Sequence, residues 1–91
     1  MTGAHTVTLF TRVDCHLCAD ADALLARLAA SMRAVEGGPF TVDAVDIDSD
    51  PALRDLYGDR VPVIAVDGRE IAEAPLEEIT LRRALAHALS H

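Results

Sequence analysis

Short apolar runs set among β-branched residues open the chain. Val7, Leu9 and Phe10 lie between threonines in Thr6-Val7-Thr8-Leu9-Phe10-Thr11, which predicts a first strand ending at a polar turn. From His16 onward the period changes. Leu17, Ala21, Leu24, Leu25, Leu28, Met32 and Val35 recur at three- and four-residue steps, with Asp20, Asp22, Arg27 and Arg33 between them. This spacing predicts an amphipathic helix over 16–35, stopped at Gly37-Gly38. The segment 40–47, from Phe40 to Ile47, reads as a second strand. A helix of roughly 20 residues between two strands makes the connection a crossover, so these strands run parallel.

Ser49-Asp50-Pro51 then opens a short helix, with Ser49 or Asp50 as cap and Pro51 at the first position. It carries Leu53, Leu56 and Tyr57 as far as Gly58, and Tyr57 is expected to pack it onto the sheet. Asp67-Gly68 separates Val61-Pro62-Val63-Ile64-Ala65-Val66 from Arg69-Glu70-Ile71-Ala72. That dipeptide accepts positive φ readily and selects a two-residue hairpin turn, so the second half is antiparallel. Leu81, Ala84, Leu85, Ala88 and Leu89 form the stripe of a last helix, placed from Thr80 as its cap, with Leu76 and Ile79 ahead of it. The order βαβ, α, ββ, α is that of a minimal thioredoxin fold: α/β, a four-stranded mixed sheet flanked by helices, in one domain over 1–91.

Composition narrows the function. With 91 residues, 51% of them hydrophobic and only Phe10, Phe40 and Tyr57 aromatic, the chain suits a compact aliphatic core. Fifteen acidic against eight basic residues give a net charge of -7, which repels phosphate backbones and anionic lipid headgroups. Nucleic acid and membrane are therefore not expected partners. The first ten residues lack a basic and then apolar leader pattern, and no apolar run approaches the roughly 20 residues of a membrane span. A cytoplasmic protein acting as a monomer is expected.

The two cysteines, Cys15 and Cys18, are too few for the disulfide framework of a secreted mini-domain, and their spacing at a strand-to-helix junction is a redox signal. Residues three apart in the first turn share a face, within the roughly 5 to 6 Å Cα separation a disulfide prefers. Cys15, at the helix start, meets free N–H groups and the positive end of the macrodipole, which favour thiolate. Cys15 is thus the expected nucleophile and Cys18 the resolving thiol. Arg12 and a protonated His16 would add to that stabilisation, and Asp14 would oppose it.

Three motifs give the chain a resemblance to glutaredoxin-like proteins of the thioredoxin superfamily. Phe10-Thr11-Arg12-Val13-Asp14-Cys15-His16-Leu17-Cys18 resembles the active-site segment of that family, with Arg12 in place of the usual lysine. Val61-Pro62 is similar to the pair whose proline is cis and lies against the cysteines. Val66-Asp67-Gly68-Arg69-Glu70-Ile71 follows the closing hairpin. The resemblance implies thiol-disulfide oxidoreductase activity, with Arg12, His16, Val61 and Pro62 contacting substrate and Val61 offering backbone hydrogen bonds to a bound thiol. Its partners would be a disulfide-containing protein or small thiol, and a recycling reductase or thiol; no cofactor is implied beyond a low-molecular-weight thiol as electron donor.

The chain departs from the family pattern in two places, of which the first weakens the link to glutathione and the second bears on the redox potential. Ala72-Glu73-Ala74-Pro75 stands where glutathione-binding members carry a Gly-Gly pair and an acidic cap, and Glu73, Glu77 and Glu78 would repel its carboxylates. His16-Leu17 replaces the usual Pro-Tyr. Alternatives are a redox-inactive binding module that keeps the groove near Val61-Pro62, zinc held by Cys15, Cys18, His87 and His91, or an iron-sulfur cluster bridged by Cys15. The zinc set has 68 residues between Cys18 and His87, against about 12 to 15 in a finger. Asp46, Asp48 and Asp50 mimic the start of a calcium loop, but Pro51 occupies the glycine position, so they read as turn and capping carboxylates.

Overall fold

In a computed structural model, which describes residues 5–90, strand β1 (His5–Thr11) leads through a short loop into helix α1 (His16–Ser31). Strand β2 (Phe40–Asp46), helix α2 (Pro51–Tyr57), strands β3 (Val63–Val66) and β4 (Arg69–Glu73) and helix α3 (Glu78–Leu89) follow. The sheet order is β2-β1-β3-β4, with β1 and β2 parallel and β3 antiparallel to both β1 and β4. This is the mixed four-stranded sheet of a minimal thioredoxin-like fold.

Alternation along β1 divides its side chains between two layers. Val7 and Leu9 pack with Ile64 and Val66 against Leu24, Leu25 and Leu28 of α1 and Leu81, Leu85 and Leu89 of α3. Phe10 points to the other face, where its ring stacks on Tyr57 of α2 with centroids 4.3 Å apart. The expected packing of Tyr57 onto the sheet is therefore present. Strand β3 lies between β1 and β4 and is buried along its whole length, which is why it reads as an unbroken apolar run. At the hairpin both Asp67 and Gly68 have positive φ, the conformation of a type I′ turn. The Gly38–Pro39, Val61–Pro62 and Ala74–Pro75 peptide bonds are cis.

Several element ends differ from the sequence expectation. Helix α1 stops at Ser31 rather than Val35: Met32 turns extended, and the Arg33 N–H donates to the Glu36 carboxylate in a separate 3-10 turn over Ala34–Glu36. Local side-chain-to-backbone bonding overrides the apolar period there, and Val35 is left 82% exposed. Strand β2 ends one residue early, and Ile47 is fully buried in a 3-10 turn over Ile47–Ser49. Of the two candidate caps for α2, Asp50 serves, its Oδ1 accepting from the Ala52 N–H at 2.9 Å. Strand β3 begins at Val63, not Val61, and β4 runs on to Glu73.

The last helix starts at Glu78 behind Glu77, not behind Thr80, which lies inside it. Leu76 packs on the core just before that start, and Glu78, an anion suited to the first turn, pairs with Arg27 of α1 at 3.1 Å. A second tie from α3 joins Arg82 to Glu36 through two hydrogen bonds of 2.9 and 3.0 Å. The Arg82 guanidinium, with help from the Arg33 N–H, lowers the Glu36 pKa from 4.5 to about 2. A depressed carboxyl pKa contributes stability that is fully present above the unfolded value and is lost as pH falls through the folded one. Acid titration followed by circular dichroism is accordingly expected to show stability declining from about pH 4.5 toward pH 2. In Glu36→Gln the decline over that window should be shallower.

Candidate active site

The site is built where β1 hands over to α1. Asp14 enters the turn at φ 61°, a left-handed conformation that short polar side chains tolerate. Cys15 then serves as the N-cap of α1, extended at φ -105° and ψ 107°, and its Sγ accepts from the Cys18 N–H at 3.1 Å. The first turn of α1 carries no acidic residue, so no neighbouring carboxylate there competes for the free N–H groups. Cys15 and Cys18 are joined as a disulfide with Cα atoms 5.1 Å apart, within the range expected from their spacing. Their surroundings differ. Cys18 is 2% exposed against the core, while Cys15 is only half-buried.

A cavity of about 580 Å³ opens beside this disulfide. Arg12, Asp14, Cys15, His16, Cys18 and Asp22 line it, together with Leu9 of β1 and Ala44 of β2. Four of the six sequence-nominated residues therefore meet in one space. Pro62 does not line it. That proline is buried and borders a narrower groove of about 170 Å³ with Leu17, Asp20, Ala74, Pro75 and Leu76. Its carbonyl accepts from the Ala74 N–H at 3.2 Å, and Val61, half-buried before it, lines neither space. Leu17, read as part of the core stripe of α1, is instead 55% exposed beside the cysteines.

Arg12 is engaged elsewhere. Its Nε and Nη2 donate to the two carboxylate oxygens of Asp48 at 3.1 and 3.0 Å, and its Nη1 donates to the Gly58 carbonyl at 3.2 Å. The guanidinium pKa is raised by Asp48, first through the hydrogen bonds and then through its charge. This fork ties the end of β1 to the 3-10 turn before α2 and to the residue that ends α2, and leaves Arg12 electrically paired rather than free to hold a thiolate. Asp48, which the sequence marks only as one of three turn and capping carboxylates, is instead the ion-pair partner of Arg12. Of the neighbouring carboxylates, Asp46 accepts from the Asp48 N–H at 2.9 Å and Asp50 caps α2, both turn-and-cap roles as expected.

Among the described residues no group of three or more His, Cys, Asp or Glu is gathered to hold a metal ion. His87 lies at the hairpin end of α3 beside Asp67 and Arg69, and His91 falls outside the described residues. No helix among the described residues is long and apolar enough to cross a membrane.

Asp14 sets up a simple test of the local field. Asparagine also tolerates the left-handed turn, so Asp14→Asn removes the charge while keeping the backbone. Alkylation of the reduced protein at Cys15 near neutral pH is expected to become about twofold faster, because an opposing charge is gone from the thiolate. An unchanged or lower rate, read by mass spectrometry of the labelled peptide, would contradict this.

A mixed sheet that presents a Cys-x-x-Cys disulfide at the start of its first helix places the protein in the thioredoxin-like fold class. Residues 6–86 match the glutaredoxin-like domain family (DUF836), and the chain belongs to that family. It is 32% identical over 87 residues to uncharacterized proteins of Mycobacterium tuberculosis and Mycobacterium bovis, covering 90% of this chain and 84% of theirs. An X-ray structure of a structural-genomics target from X. campestris superposes with a TM-score of 0.71 at 38% identity, covering 90% of this chain and 97% of that one. A solution structure of a protein from Nitrosomonas europaea gives 0.71 at 25% identity, over 89% and 91% of the two chains.

Proposed function

We propose that this protein is a dithiol thiol-disulfide oxidoreductase that reduces protein or low-molecular-weight disulfides. The observation that carries the reading is the asymmetry of the pair: a half-buried Cys15 whose Sγ takes the Cys18 N–H, beside a Cys18 closed against the core. In the reduced protein that N–H and the helix start favour a thiolate on Cys15. The thiolate attacks one sulfur of a substrate disulfide, forming a mixed disulfide and expelling the other sulfur as thiolate, which takes a proton from solvent. Cys18 then loses its proton and attacks Cys15 Sγ, releasing the second substrate thiol and leaving the Cys15–Cys18 disulfide. Two electrons pass from protein to substrate in each turn. A dithiol reductase or a low-molecular-weight thiol returns them.

In this reading the site is formed by Cys15 and Cys18 with His16 beside them, and the groove that Pro62 borders with Leu17 of α1 seats the substrate. Arg12 shapes the site by holding β1 to α2. A reducing compartment such as the cytoplasm suits the chemistry. Reduced protein titrated with a limiting alkylating agent tests the assignment. Label is expected on Cys15 in preference to Cys18, and to appear at pH values well below the roughly 8.5 of an ordinary thiol. Equal labelling of both cysteines, rising only near that ordinary value, would contradict it.

A further inference from the structure

Resting on the redox reading, we infer that the substrate disulfide carries positive charge next to its sulfurs, as a cystine flanked by lysine or arginine in a polypeptide does. The cavity beside the disulfide gives an incoming or outgoing thiol room next to Cys15 and Cys18, and its walls carry uneven charge. Asp14 and Asp22 line it and make no ion pair among the described residues. Arg12 is the one lysine or arginine on its walls among the described residues, and the fork to Asp48 cancels its charge. Across the helix start, Asp20 adds a third carboxylate at the groove that Pro62 borders. The side-chain charge around the sulfurs is therefore net negative. It attracts a cationic disulfide and repels one bearing carboxylates, over a distance comparable with the screening length at physiological salt.

Two apolar side chains indicate that the carrier is a polypeptide. Val13, 74% exposed, lies two residues before Cys15, and Leu17, 55% exposed, lies between the two cysteines on the groove that Pro62 borders. Solvent-facing aliphatics beside a reactive sulfur give a peptide chain apolar contact that a small diamine cannot use. The acidic total of the chain, -7, extends the same preference to the approach of a basic partner.

The test uses the reduced full-length protein in single turnover, at about pH 8, above the histidine titration range. It is mixed with cystamine, hydroxyethyl disulfide or dithiodiglycolate, which are cationic, neutral and anionic, then quenched in acid and weighed for loss of the two thiol hydrogens. Rates are normalised to those of free mercaptoethanol thiolate, which has its own preference for cations. Cystamine is expected to react about tenfold faster than dithiodiglycolate at low salt, and about twofold faster near 1 M salt, where screening is nearly complete. Asp14→Asn combined with Asp22→Asn should bring the low-salt ratio down to about threefold, and Asp48→Asn, which uncovers the Arg12 charge, should lower it as well.

Cystine peptides flanked by lysine or by glutamate should then show a ratio at least as wide as the small probes. Ordinary reaction with hydroxyethyl disulfide together with equal normalised rates for the charged pair would overturn the charge selection and leave the redox reading standing. A preference confined to the small probes would overturn the assignment to a polypeptide. No reaction even with the neutral disulfide would defeat the redox reading itself.

Discussion

Cys15→Ser is expected to lower disulfide reduction by at least about a thousandfold while leaving the fold intact. A serine hydroxyl stays protonated at neutral pH and does not displace thiolate from sulfur, so the first step has no nucleophile. The helix loses little, because serine is itself a favoured N-cap and its oxygen takes the Cys18 N–H in place of Sγ. Cys18 cannot substitute, since at 2% exposure it sits behind the helix start and out of reach of an incoming disulfide. The measurement is turnover of a neutral disulfide with a recycling reductant, alongside a thermal melt of the reduced wild type and variant. Retained turnover would place the chemistry elsewhere; coincident melts would exclude unfolding as the cause of its loss.

Leu25→Ala is expected to produce the largest loss of stability, about 2 to 5 kcal/mol. Leu25 is fully buried on α1 at the centre of the cluster formed with β1, β3 and α3. Removing three carbons there forfeits their transfer free energy and leaves a cavity that two helices and a sheet cannot all move to fill. A chain this short holds a total stability of order 5 to 14 kcal/mol, so the substitution consumes a large share of it. Chemical denaturation should show the midpoint falling with little change in slope, and Leu25→Met, which nearly conserves volume, should cost under about 1.5 kcal/mol. Because α1 carries both cysteines, the alanine variant should also expose Cys18 to alkylating agents as its population of opened molecules rises. A loss below about 1 kcal/mol would mean that the core closes over the gap.

Much of this arrangement is legible in the residues themselves. The crossover from β1 through α1 to β2 follows from periodicity, the hairpin from Asp67-Gly68, and the α2 start from Asp50-Pro51; all three are local signals. The misread ends are places where a local bond or a tertiary contact beats the period. The apolar spacing runs through Met32 to Val35, yet the Arg33–Glu36 turn ends α1 at Ser31, and Glu36 is then claimed by Arg82, 46 residues away. Thr80 has the side chain of a cap, but Leu76 docking on the core and the Glu78–Arg27 pair start α3 earlier. In both cases the deciding partner lies on another element.

The same division holds at the site. Cys15, Cys18 and His16 are drawn together by adjacency, so spacing alone locates them. Arg12 looks like a cation for the thiolate until the fold supplies Asp48, 36 residues on, as a bidentate partner. Leu17 fits the helical stripe by position, but at the first turn that stripe has run past the end of the core, which leaves the side chain in solvent beside the cysteines. Asp22, four residues beyond Cys18, had no mark of function in the sequence, and its place on the cavity wall emerges only once α1 is packed against the sheet. Departures from the family pattern are thus departures in charge and surface, while the backbone that holds the two sulfurs is kept.

The central claim, attack by Cys15 and resolution by Cys18, is tested most directly with Cys18→Ser. Reduced Cys18→Ser mixed with a disulfide substrate is expected to accumulate a stoichiometric mixed disulfide, mapped by mass spectrometry to Cys15 and released by dithiothreitol. Failure of that species to form, under conditions where the reduced wild type becomes oxidised to the Cys15–Cys18 disulfide, would contradict the mechanism.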